Sequence, residues 1–252
     1  MTKPPKNTTI RVTFPFIDIQ VWQKFVVGLK RENRFTLSDE PARFVELLIE
    51  YAKKHKSVKL SSGTHLYRAR INEITESYKP IAIENMGAPP IHLAGHGRLN
   101  PRGIPYLYLA SDKLTAVSEV RPWINCHITV AKFVLSADCN LINFSKLHMV
   151  NILEGGEYEG SEFTWRELIT WMFSAPFDPR DDTAYIPTQY IAERIKGAGF
   201  DGIIYDSALK ADGYNVALFN ESSANGVRCE KALVTNIEVQ ANISSFEDSQ
   251  SP

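Results

Sequence analysis

The sequence predicts an α+β protein: a body built on a mixed sheet, preceded by a helical extension. Two observations carry that prediction. From residue 66 onward, short runs rich in β-branched and aromatic residues alternate with stretches of helical periodicity. Before residue 60, apolar residues recur at helical spacing. With 44% hydrophobic and 23% charged residues in 252, the chain can bury a sizeable core, which excludes disorder as its main state.

The extension is expected to cover 1–60 and to hold two helices. In the first, at 18–31, Ile19, Trp22, Phe25, Val26 and Leu29 share a face and Asp18 is placed to cap the N-terminus. The second follows Ser38, with Pro41 in its first turn and Phe44, Val45, Leu47, Leu48 and Ala52 on its apolar side. Lys53, Lys54, His55 and Lys56 then form a solvated end whose charge complements the helix dipole. Ser61-Ser62-Gly63 makes the joint to a body spanning 61–241. Strands are expected at 66–71, 106–110, 127–135, 202–205, 215–219 and around 232–239. Helices are expected at 112–121, ended by Pro122, at 163–173, and at 187–198, closed by Gly197 and Gly199. The stretch 152–161, with Gly155-Gly156 and three glutamates, is a candidate flap, and 242–252 is a polar tail.

Charge narrows the function classes. The 28 Lys and Arg against 29 Asp and Glu give a net charge of −1, which argues against a protein that grips nucleic acid through its phosphates. No apolar run approaches the ~18 residues of a membrane span. The N-terminus has early lysines but no continuous apolar stretch or small-residue cleavage site, so it does not read as a secretory signal. Three scattered cysteines suit a reducing compartment, and the chain reads as cytoplasmic.

The densest polar cluster is Gly95-His96-Gly97-Arg98-Leu99-Asn100-Pro101-Arg102-Gly103. Three glycines and a proline make a tight, backbone-exposing loop, and its arginines can hold an anion. The plainer alternative is a surface turn with solvated charges. The loop is neither a Walker A nor a dinucleotide fingerprint. In the strand that follows, alternation places Tyr106 and Tyr108 on one face. Glu119 ends the next helical stretch, while Arg68 lies in Leu66-Tyr67-Arg68 and Ser207 closes Phe200-Asp201-Gly202-Ile203-Ile204-Tyr205-Asp206-Ser207. Taken singly, each reads as an ordinary surface, turn or cap residue. No Gly-x-Ser-x-Gly elbow and no His-Glu-x-x-His spacing is present, so neither a serine hydrolase nor metal catalysis is signalled.

Taken together and in order, these pieces resemble the RES domain family across about 66–219. The resemblance rests on Leu-Tyr-Arg at 66–68, Gly-Arg-Leu-Asn-Pro-Arg-Gly-Ile-Pro-Tyr-Leu-Tyr-Leu-Ala at 97–110, and the Glu119 segment. Phe-Asp-Gly-Ile-Ile-Tyr-Asp-Ser at 200–207 and Asn-Val-Ala-Leu-Phe at 215–219 complete it. One departure is Leu99, where the family usually has Trp.

The resemblance implies an ADP-ribosyltransferase-like core and a toxin that depletes NAD+ by breaking its nicotinamide–ribose bond, through water or inorganic phosphate. NAD+ would be a substrate rather than a cofactor, no metal would be needed, and an antitoxin would be the protein partner. Residue by residue, it implies catalytic roles for Arg68, Glu119 and Ser207, with substrate binding by Arg98, Asn100 and Tyr108. A buried Glu119 would stabilise the cationic ribose, the two arginines would neutralise the pyrophosphate or place the phosphate, and Ser207 would orient the substrate. The alternatives are ADP-ribose transfer to a protein or nucleic acid and an inactive NAD+-binding module. The apolar helical faces of the extension are expected to be core; self-association or antitoxin docking are the other readings.

Overall fold

A computed structural model of the chain describes residues 19–73, 79–145, 168, 172–178 and 180–238. The first helix, α1, runs Ile19–Val27 and passes into a π turn, Gly28–Glu32, rather than continuing as one α-helix. Gly28, a poor helix former, sits where the pitch changes, and the Asn33 amide closes the wider turn onto the Gly28 carbonyl at 2.8 Å. Asp18, the expected cap, lies outside the described residues. Helix α2, Asp39–His55, starts after Ser38 as expected. Its end differs in one respect: Lys53 and Lys54 are exposed, whereas Lys56 is buried where the chain turns into β1, Ser57–Leu60.

The remaining elements are β2 (His65–Ile71), β3 (Leu107–Ala110), α3 (Lys113–Glu119), β4 (His127–Leu135) and β5 (Cys139–Asn143). After them come α4 (Ile186–Gly197), β6 (Gly202–Asp206), β7 (Tyr214–Leu218) and β8 (Ala224–Leu233). Among the described residues these strands form one sheet, in the order β1-β5-β6-β7-β3-β2-β4-β8. It is mixed: β5 and β6 run parallel, and every other pair is antiparallel. The α+β class read from the sequence holds.

Three differences have physical reasons. β1 and β5 were not anticipated, because a four-residue edge strand after a lysine run and a strand reading Cys-Asn-Leu-Ile-Asn carry little alternation. The last strand lies at Ala224–Leu233, not at 232–239. As the edge strand paired to β4 it is mostly exposed, and Asn225, Arg228, Glu230 and Lys231 interrupt its apolar residues, so it lacks the apolar signal that had drawn the expectation downstream. Of the helix expected at 163–173, only 168, 172 and 173 are described, and all three are helical; the flap at 152–161 and the tail at 242–252 lie outside the described residues.

The extension and the body share one core. Trp22, Phe25, Leu29, Phe44 and Leu48 pack with Ile191 and Ile195 of α4 and with Ile142, Ile203 and Tyr205 of the sheet. Phe25 is fully buried at the centre, its ring 5.4 Å from Trp22, 5.6 Å from Phe44 and 5.9 Å from Tyr190. Tyr106 and Tyr108 join this face, while Leu107 and Leu109 pack on the opposite one, as strand alternation requires. Among the described residues no helix is long and apolar enough to cross a membrane.

Candidate functional site

The loop 95–103 is organised from within by Asn100. Its side chain is buried and donates to the carbonyls of Gly95 (2.9 Å) and Pro101 (3.1 Å), while its Oδ1 accepts from the Tyr108 hydroxyl at 2.8 Å. The Tyr108 oxygen in turn accepts from the Leu99 amide at 3.0 Å. A β-carbon at Gly97 would stand 2.5 Å from Asn100 Oδ1 and 2.9 Å from the Tyr108 oxygen, so only glycine lets the loop close on this pair. Helix α4 fixes the loop from outside: Gln189 donates to the Gly97 carbonyl (2.8 Å) and Thr188 to that of Arg98 (2.5 Å). Leu99, at the family's usual Trp position, is fully buried in the shared core.

Arg98 is held among aromatic rings, its guanidinium carbon 5.2 Å from the Tyr185 centroid, 5.7 Å from Phe177 and 5.8 Å from Tyr205. Its Nη1 also donates to the Ala175 carbonyl at 2.9 Å. Arg68 differs. Burial, reinforced by the neighbouring Arg70 charge and partly offset by Tyr108, pulls its guanidinium down to about 10. Its Nη1 is buried without a hydrogen-bond partner among the described residues. Arg68 stands beside the one registered pair joining β2 to β3, Tyr67 with Ala110.

Glu119 is the last residue of α3, a seven-residue helix capped by Asp112, whose carboxylate accepts from the Thr115 amide (2.9 Å) and hydroxyl (2.5 Å). The expectation of a buried carboxylate is corrected: Glu119 is exposed, because it sits at the open end of that short helix. It is nevertheless held. Its Oε1 accepts from Ser207 Oγ and from Asn215 Nδ2, each at 2.7 Å. Ser207 also accepts from the amides of Leu209 (3.2 Å) and Lys210 (3.1 Å) in the turn between β6 and β7.

Tyr205 connects the two halves. Burial raises its phenol well above the usual tyrosine range, with the Arg98 guanidinium opposing that shift and the Glu119 carboxylate adding to it. Burial likewise pushes up the Tyr108 phenol. The structure therefore brings Arg98, Asn100, Tyr108, Glu119 and Ser207 around Tyr205 or its direct neighbours, with Arg68 on β2, the strand next to the β3 that carries Tyr108. Sequence reasoning missed Asn215 and Tyr205 as site residues. The available signal for Asn215 was an amide directly before the apolar run Val-Ala-Leu-Phe. Among the described residues, no three His, Cys, Asp or Glu side chains gather as metal ligands would.

Comparison with curated proteins gives no match. Among solved structures, one similar chain comes from the crystal structure of the M. tuberculosis MbcT–MbcA toxin–antitoxin complex. It is 10% identical, with a TM-score of 0.41, covering 75% of this chain and 92% of that one. Residues 65–241, well over half of the chain, match the RES domain, and the chain belongs to the RES domain family.

Proposed function

We propose that this protein binds NAD+ and breaks its nicotinamide–ribose bond, with water or inorganic phosphate as acceptor. In this reading it is a cytoplasmic toxin with an ADP-ribosyltransferase-like core that depletes NAD+ and is restrained by a cognate antitoxin. The observation that carries the reading is Glu119: an exposed carboxylate fixed by two donors on one oxygen, in a site that also holds two arginines.

Nicotinamide leaves as a neutral molecule from a cationic glycosidic bond, so the leaving group needs little help. What the site must supply is orientation and a negative charge where the ribose becomes oxocarbenium-like. Glu119 provides that charge, and its exposure leaves room for water or phosphate to reach the anomeric carbon. Arg68, whose buried Nη1 has no hydrogen-bond partner among the described residues, is suited to an anionic oxygen of the pyrophosphate or of attacking phosphate. Arg98 and Asn100 shape the loop against which the dinucleotide would lie, and Tyr108 locks it.

Purified protein incubated with NAD+, with and without inorganic phosphate, should release nicotinamide, followed by chromatography. Glu119→Ala should remain folded and lose that release. Phosphate-dependent release with ADP-ribose-1″-phosphate identifies a phosphorylase, and free ADP-ribose without phosphate identifies a glycohydrolase. No release under either condition overturns NAD+ cleavage by the protein alone.

A further inference from the structure

The geometry points to Asn215 as a positioning residue that acts through Glu119, leaving Oε2 of that carboxylate as the oxygen presented to substrate; this rests on the NAD+ reading above. Both donors reach the same oxygen, Oε1, and no described group hydrogen-bonds Oε2. The two donors are not equivalent. A serine hydroxyl has one hydrogen and two lone pairs. Ser207 gives its hydrogen to Glu119 and accepts from the amides of Leu209 and Lys210, so its capacity is spent and none is left for a ribose hydroxyl. It sits at the start of a turn, where its position depends on that turn.

Asn215 is buried on β7, between β3 and β6, with Ala110 opposite on one side and Tyr205 on the other. A central strand held on both edges is a stiffer mount than a turn. A buried amide among apolar neighbours is costly unless bonded, and the bond it makes is to Glu119. Asn215 is thus a fixed donor that aims an otherwise exposed, flexible glutamate.

The test is a kinetic split. Asn215→Ala should lower kcat for nicotinamide release by ~100-fold, the usual consequence of a misplaced catalytic group. KM and the calorimetric Kd for NAD+ should stay within ~3-fold of wild type, because the residue does not touch substrate. Asn215→Asp keeps the volume, removes the donor, and should lose at least as much; it also stands in should the alanine variant fold poorly. Unchanged kcat, or a loss confined to KM and Kd, overturns the assignment. If wild type releases no nicotinamide, the NAD+ reading fails instead, and crystal structures of wild type and Asn215→Ala decide the clamp. A Glu119 carboxylate displaced from Ser207 upholds it, and one that stays in place overturns it.

Discussion

Arg68 is half-buried, and its enclosed Nη1 has no hydrogen-bond partner among the described residues, which carries a cost that a ligand can remove. Its guanidinium is pulled down to about 10, below the ordinary arginine value, so from about pH 10 upward the unfolded chain binds the extra proton. The penalty is therefore in full force below about pH 10 and fades as pH rises through that window. At neutral pH Arg68→Met should accordingly raise the thermal midpoint of the free protein. Inorganic pyrophosphate at ~100 times its Kd should stabilise the wild type by about 2.7 kcal/mol and leave Arg68→Met unmoved. A methionine variant that melts lower than wild type, or one still stabilised by pyrophosphate, contradicts this account. Gly97→Ala makes a second point, since its methyl collides with Asn100 and Tyr108. That variant should lose most nicotinamide release while keeping its circular dichroism. At this scale Arg68, Arg98, Tyr108, Glu119 and Ser207 were legible as family positions. Asn215 and Tyr205 lie inside the family-like runs at 215–219 and 200–207 but did not stand out as site residues, because their significance is a matter of which distant side chain each one meets.

Among the elements, α3 is the one most dependent on its ends. Seven residues are too few to hold a helix by propensity alone, so the Asp112 cap at its start and the clamp on Glu119 at its finish fix where the carboxylate stands. Asp112→Ala should cost about 1 kcal/mol in a thermal or denaturant melt. Its effect on turnover should exceed what that loss of stability explains, because the helix carries Glu119. Equal, small effects on both would show that the far-end clamp suffices. Element prediction worked where periodicity was strong, as at α2, β4 and α4, and failed where neighbours rather than sequence decide. β8 is mostly exposed as the edge strand beside β4, and β1 is a strand because it pairs with β5, which β6 holds from the other side.

For the whole molecule, the shared core makes the extension part of the fold. Phe25 touches Trp22, Phe44 and Tyr190, the last from the body, and is fully buried. Phe25→Ala should destabilise the entire protein by about 3–5 kcal/mol in a single transition. Two separate melting transitions would instead mean that the extension folds by itself. A fragment beginning at 61 would lack β1 and bare the apolar face under α1 and α2, so it should aggregate rather than survive as a folded, active body.

The clamp on Glu119 also sets a schedule. The carboxylate is made before either donor that aims it, since both belong to the β6–β7 hairpin, 88 and 96 residues later. A nascent polypeptide on the ribosome carries the glutamate long before it carries the means to orient it. If the protein consumes NAD+, the cell making it is spared until the β6–β7 hairpin has been synthesised and has met α3, an interval in which an inhibitor can be made ready.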